Sequence, residues 1–243
     1  MARVLITGSA DGLGRLAAQT LLDDGHEVVV HARDDDRLAA VRDLVDRGAA
    51  AVVGDLSDLA QTRGVAGQVS DLGRMDAVIH NAGVYSGAHV LPVNVVAPYL
   101  LTALVDRPQR LVYLSSGMHR GGRPSLDGMD WSGRVPTGSY SDSKLFVTAL
   151  AAAVARLWPG VLSNAVDPGW VPTRMGGSGA PDDLRLGHLT QEWLATGEDA
   201  EARTSGGYWH HQRRLEPHPA VHDRAFQDRL LGALAGFTGT RLD

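Results

Sequence analysis

The chain has 243 residues, 44% of them hydrophobic and 21% charged, which is enough apolar material for one sizeable core and excludes disorder as its main state. It has no cysteine, which excludes a disulfide framework, a thiol nucleophile and any cysteine-held zinc or iron–sulfur site, so redox chemistry would need a borrowed cofactor. The formal net charge is -5 and Lys144 is the single lysine, so nucleic acid is not an expected partner; no apolar run approaches the roughly 18 residues of a membrane helix, and a cytoplasmic protein is expected.

Short β-branched runs alternate with helical stretches. Strands are expected over 4–7, 27–32, 50–54 and 75–80, with helices over 12–24, 35–47 and 58–70 between them. The second half gives a helix over 93–105, a strand over 110–115, a long helix over 139–157 and a strand over 161–166. A late strand over 206–210 and an amphipathic helix over 223–234 close the chain. This is the rhythm of a single α/β domain spanning 1–243, and the near-continuous apolar strands imply a parallel sheet buried on both faces. Pro98 falls inside the helix over 93–105 and predicts a bend there. Two stretches rich in glycine and proline, 117–138 and 176–187, each follow a strand, where loops of an open parallel sheet border the ligand crevice.

Directly after the first strand comes Thr7-Gly8-Ser9-Ala10-Asp11-Gly12-Leu13-Gly14, opening the first helix. Glycines there let backbone approach a pyrophosphate, and the helix start offers unpaired N–H groups and the positive end of its dipole. No Gly-Lys-Ser/Thr follows, so a Walker-type phosphate loop is excluded and a dinucleotide is favoured. Lys144 stands four residues, one helical turn, after Tyr140, although only five of the 243 positions lie four residues after a tyrosine. Bringing a phenol from a pKa near 10 to 7 takes roughly 4 kcal/mol. An ammonium about 5 Å away supplies around 3 kcal/mol at an effective dielectric of 20.

The spacing of Gly8, Gly12 and Gly14 resembles that of the short-chain dehydrogenase/reductase family, and the resemblance runs along nearly the whole chain. Asn81-Ala82-Gly83 is similar to the family's Asn-Ala-Gly signature, with His80 where a further asparagine is commoner, and Asp55 with Leu56 matches its adenine contact. Asn94, Ser116, Tyr140 and Lys144 match the catalytic tetrad, and Pro168-Gly169-Trp170-Val171-Pro172-Thr173 resembles the nicotinamide-side motif. The family implies a doubly wound, mainly parallel, seven-stranded Rossmann sheet with helices on both faces. The cofactor residues it implies are Gly8, Asp11, Gly12, Leu13, Gly14, Arg33, Asp55, Leu56, Asn81, Ala82, Gly83, Tyr140, Lys144, Pro168, Gly169, Val171 and Thr173. In that scheme Ser116 holds the substrate oxygen, Tyr140 exchanges its proton, Asn94 holds a water feeding Lys144, and the nicotinamide carries the hydride. The 24 positions from Ser116 to Tyr140 resemble the retinol-dehydrogenase-like and carbonyl-reductase-like branches, whereas the 13 from Asn81 to Asn94 are fewer than usual and unsettle the family's dimer helix. A homo-oligomer stays open.

The expected activity is interconversion of a ketone or aldehyde with an alcohol. A cofactor-binding regulator on the same fold is the alternative, disfavoured because both Tyr140 and Lys144 are present; a nucleotide-sugar epimerase is disfavoured by the short chain and by three residues between Gly8 and Gly12. NADP(H) is expected over NAD(H): where NAD-preferring members carry an acid the chain has Ala32, followed by Arg33, with Arg15 adding to the positive field. Asp34, Asp35 or Asp36 would take the acid's role if the second strand ran two residues longer. Trp131, Trp170, Met175 and Trp193 are expected to wall a pocket for a bulky or apolar carbonyl compound, with 176–187 closing over it. The tail histidines, His210, His211, His218 and His222, lack ligand spacing on a helix, and no metal is expected.

Overall fold

The computed structural model describes residues 1–242. Strand β1 (Arg3–Ile6) runs through the glycine turn into α1 (Gly12–Asp23), whose start is capped by the Asp11 carboxylate on the Gly12 N–H. There follow β2 (Glu27–Ala32), the short helices α2 (Asp35–Ala39) and α3 (Arg42–Asp46), β3 (Ala50–Val53), α4 (Leu59–Asp71) and β4 (Ala77–His80). The second half carries α5 (Ala97–Leu104), β5 (Arg110–Leu114), α6 (Tyr140–Leu157), β6 (Leu162–Asp167), α7 (Leu184–Thr196), β7 (Tyr208–His210), β8 (Arg213–Leu215) and α8 (Arg224–Thr238). The strands form one sheet in the order β3-β2-β1-β4-β5-β6-β7-β8, parallel throughout except for the β7–β8 hairpin. Strand order reverses between β1 and β4, the place where such a sheet opens a crevice at its carboxyl edge.

Successive side chains point to opposite faces, and both faces are covered. Val4 and Ile6 of β1, with Val28 and Val30 of β2, pack under α1 and α3; Leu5 and Val29 join the other core beneath α4, α5 and α6. The longest helix, α6, begins at a reciprocal cap: Ser139 Oγ accepts the Asp142 N–H at 3.0 Å and Asp142 accepts the Ser139 N–H at 3.0 Å. That cap fixes where the first turn starts, and hence where Tyr140 and Lys144 point.

The structure departs from the sequence expectations at four places. The sheet has eight strands, because Arg213–Leu215 adds an antiparallel edge to the seven expected. The charged stretch 35–47 breaks at Ala40 and Val41, which turns Val41 and Leu44 into the core. Residues 184–196, of which 184–187 were expected as loop and the rest given no element, form α7, capped by Asp183 and packed against α1. At Pro98 the helix widens into a π turn over Pro92–Val96 before α5, with Ala97 N–H donating to the Pro92 carbonyl; the wider turn relieves the clash a proline ring makes with the carbonyl four residues before it.

Candidate active site

Gly8 and Gly12 hold left-handed φ of 64° and 54°, and the turn between them is pinned from three strands. Asn81 Nδ2 donates to the carbonyls of Thr7 and Gly8 at 2.9 and 3.1 Å, and the Ala82 N–H donates to Thr7 Oγ1 at 3.0 Å. His31 Nδ1 accepts the Gly8 N–H at 3.0 Å, so its Nε2 is the donor to the Gly54 carbonyl at 2.9 Å; burial lowers the imidazole pKa and keeps this tautomer neutral. A Cβ on Gly14 would stand 2.3 Å from Asn81 Nδ2, and one on Gly8 2.8 Å from the Ala82 Cα. Close approach, not freedom alone, therefore requires these glycines.

One crevice of about 730 Å³ opens above this turn. Of the residues singled out in the sequence, Gly8, Asp11, Gly12, Leu13, Arg33, Asp55, Leu56, Asn81, Ala82, Gly83, Tyr140, Lys144, Pro168 and Thr173 line it. Gly14, Gly169 and Val171 lie behind the wall: Gly14 is buried on Asn81, Gly169 turns with φ 81° over Asp167, and Val171 is buried toward Gly187. The space beside Gly12 is open, since an added Cβ would meet nothing nearer than Thr173 at 3.7 Å. A gap of this kind at a helix start, floored by glycine backbone and flanked by arginines, fits a dinucleotide pyrophosphate.

At the other end of the crevice the two adjacent serines separate. Ser115 Oγ shares a hydrogen with Thr148 Oγ1 at 2.6 Å, whereas Ser116 Oγ accepts the Met118 N–H at 3.2 Å and lies near enough to Tyr140 to bear on its pKa. Lys144 is buried, donates to the Leu114 carbonyl at 2.7 Å, and holds its Nζ 5.4 Å from the centre of the Tyr140 ring. Burial pushes the phenol up to about 12, against the lowering influence of Ser116 and with Asp167 and Tyr85 adding to the rise. Burial likewise lowers Lys144 to about 8, partly opposed by Asp167. In the protein alone the phenol is therefore raised instead of lowered, because desolvation is the largest influence on it. Asn94 is tied elsewhere. Its Oδ1 accepts the Val84 N–H at 2.8 Å, and Nδ2 donates to the Val84 carbonyl at 3.0 Å and to Ser143 Oγ at 2.9 Å.

At the opposite end, β2 stops at Ala32, so the three aspartates lie beyond the strand. Asp34 caps α2 through the Arg37 N–H at 2.8 Å and accepts from Arg33 Nε at 3.0 Å. Arg15 is not part of the positive field at the crevice: it donates to the Ala40 carbonyl at 2.6 Å and to Asp43 at 2.7 Å, binding the break between α2 and α3. Arg37 and Arg174, missed in the sequence, line the crevice instead, with Arg37 3.3 Å from Asp11. Burial raises the Asp11 carboxyl, but the Gly12 N–H and Arg37 outweigh it and hold the group below its ordinary value. A signal for Arg37 was present, since it stands one helical turn after Arg33.

None of the three tryptophans expected at the pocket lines it. Trp131 is buried, with its ring 6.0 Å from Phe146, Trp193 packs edge-on against Trp209 at 5.1 Å while donating to Asp199, and Trp170 is 60% exposed with Nε1 donating to the Gly176 carbonyl at 2.8 Å. Met175 does line the crevice. Tyr85, unremarked in the sequence as a wall residue, faces Tyr140 with ring centres 4.8 Å apart. Among the described residues no cluster of three or more His, Asp or Glu side chains is placed to hold a metal, and no helix is long and apolar enough to cross a membrane.

Residues 2–105 match a sequence family described as short chain dehydrogenase. The short-chain dehydrogenase chyC of Penicillium rubens is 36% identical across 100% of this chain and 99% of its own. A Streptomyces protein named as a candidate daunorubicin C-13 ketoreductase, DnrU, is 34% identical across 88% of this chain and 84% of its own. Among solved structures, a Mycobacterium paratuberculosis protein covers 100% of this chain and 95% of its own at TM-score 0.80 and 23% identity. The NADP complex of Pseudomonas aeruginosa RhlG covers 85% and 93% at TM-score 0.68 and 22% identity; both likenesses are of fold.

Proposed function

The chain belongs to the short-chain dehydrogenase/reductase family and is an oxidoreductase on a dinucleotide-binding Rossmann sheet; from that premise we propose that it reduces a ketone or aldehyde to an alcohol and takes NADP(H) in preference to NAD(H). The observation that carries this reading is the meeting of Tyr140 and Lys144 at one end of a crevice whose other end is a glycine turn flanked by Arg33 and Arg37, with Ser116 close enough to the phenol to bear on its pKa. A nicotinamide dinucleotide, when bound, supplies the hydride. Tyr140, its pKa near 12, keeps its proton at neutral pH and is suited to give it to a carbonyl oxygen as negative charge gathers there. Ser116 Oγ, close to that phenol, aligns the same oxygen. The Lys144 ammonium offsets the charge left on the phenolate.

Asn94 acts chiefly by holding Val84 and Ser143, as both its side-chain hydrogens are used. The water assigned to Asn94 then falls to its main-chain carbonyl, which Pro98 deprives of the usual donor four residues on. For cofactor choice, Asp34 is engaged as a cap, and a 2′-phosphate would compete with carboxylates for Arg33 and Arg37. For substrate, Tyr85 and Met175 favour a bulky, largely apolar carbonyl compound, in keeping with the ketoreductase activity in the name of the Streptomyces relative.

NADPH oxidation measured against a panel of aromatic and aliphatic ketones, aldehydes and quinones tests this. Turnover of at least one apolar carbonyl, faster with NADPH than NADH, is expected. Saturable NADPH binding with no turnover across the panel would favour the regulator instead.

A further inference from the structure

The reaction leaves the tail histidines without a part, and one of them, His211, stands in left-handed backbone. His211 and Gln212, the turn of the β7–β8 hairpin, have φ of 48° and 59°, and no other non-glycine among the described residues has a positive φ. Turns of this kind are ordinarily built from asparagine and glycine. Here both positions are tied to other elements. His211 Nε2 donates to the Pro168 carbonyl at 3.3 Å, its ring stacks on His210 at 3.8 Å, and His210 Nδ1 reaches the Asp167 carbonyl at 3.2 Å. The Gln212 N–H donates to Thr190 Oγ1 of α7 at 3.0 Å.

Asp167 and Pro168 begin the loop that leaves β6, and α7 receives its far end. One strained turn therefore touches both sides of the loop over 168–183, the segment that carries Thr173 and Met175 to the crevice. The loop is pulled tight at the same spot: Asp182 accepts the Trp170 N–H at 2.6 Å, and a Cβ on Gly169 would stand 2.5 Å from Asp182 Oδ2 and 3.2 Å from His211 Nε2. We propose that His211 is a positioning residue, held in a left-handed turn so that its imidazole clamps Pro168–Gly169 and fixes the loop over the substrate end of the crevice. Strain retained where glycine would relieve it is the mark of a side chain kept for what it touches. The kinetic part of this inference rests on the reductase reading; the clamp itself does not.

Hydrogen exchange across 168–183 and steady-state kinetics in His211→Gly, His211→Asn and Gln212→Gly separate the two. Gln212→Gly relieves strain but keeps the imidazole, and should match the wild type in both readouts. His211→Gly should speed exchange in the loop by about tenfold or more while the rest of the sheet stays protected. It should also raise KM for the carbonyl substrate by about fivefold or more with kcat within about twofold. His211→Asn, which tolerates the left-handed position and keeps a donor, should recover part of the protection. Wild-type exchange in the loop of His211→Gly overturns the clamp. Faster exchange in that variant, with no turnover by any form including the wild type, upholds the clamp and removes the reductase reading instead.

Discussion

Tyr140 and Lys144 show how far a pair spacing carries. One helical turn between them was legible in the sequence; the sign of the phenol's shift was not, because it depends on burial that no spacing reports. The same burial makes Lys144 a stability liability. Its folded pKa of about 8 lies below the unfolded value of 10.5, so the folded state binds the proton more weakly, and at pH 7 the penalty for keeping it charged is fully present. Lys144→Met should abolish turnover yet raise stability at pH 7 by about 1 to 3 kcal/mol, a gain that fades as pH rises from 8 to 10.5. Urea unfolding at pH 7 and pH 10 checks this, and a destabilised variant at pH 7 would count against a charged, desolvated lysine. At the other end of the crevice, Arg33→Ala and Arg37→Ala should each lower kcat/KM for NADPH by on the order of ten- to a hundredfold while leaving NADH nearly unchanged. Equal losses with both cofactors would show that the two arginines do not read a phosphate.

Among the elements, those with strong apolar periodicity came through and those defined by tertiary partners did not. Strands β1 to β6 and helices α1, α4 and α6 lie within a few residues of where their patterns put them. Helix α7 was half hidden because its first turn follows a glycine-rich loop and its buried face mixes polar and apolar side chains, Gly187, His188, Gln191 and Glu192 among them. The stretch 117–138 was expected to border the crevice from its glycines and proline. Its middle is instead fastened to the core: Trp131 lies against Phe146, a Cβ on Gly133 would stand 2.8 Å from the Pro92 ring, and Asp130 accepts from the N–H groups of Ser132 and Val135. Trp131→Ala should therefore destabilise the protein by about 3 kcal/mol or more, as removal of a buried tryptophan does. A Tm within a degree of the wild type would mean that the segment is loose after all.

At the scale of the whole molecule, the mainly parallel sheet was foreseeable from alternation and its doubly wound form from the family resemblance, but the closing of one flank by α8 and the residues after it was not. Helix α8 packs on α6, with the Phe226 ring 5.9 Å from Phe146 and Arg156 Nε donating to Gln227 at 2.8 Å. Beyond it Tyr99 of α5 donates to the Thr240 carbonyl at 2.7 Å, and Arg63 of α4 donates to the Thr238 carbonyl at 2.5 Å. The flank of α5 and α6 is covered within one chain, and light scattering should give the mass of a single copy; a dimer would place the interface elsewhere. The central claim, that Tyr140 delivers the proton in carbonyl reduction, is tested most directly by pairing NADPH affinity with single-turnover hydride transfer in Tyr140→Phe. The account predicts affinity within about threefold of the wild type and a rate lower by about a hundredfold or more, the size of a lost general acid. Substantial turnover in a folded Tyr140→Phe that still binds NADPH would contradict it.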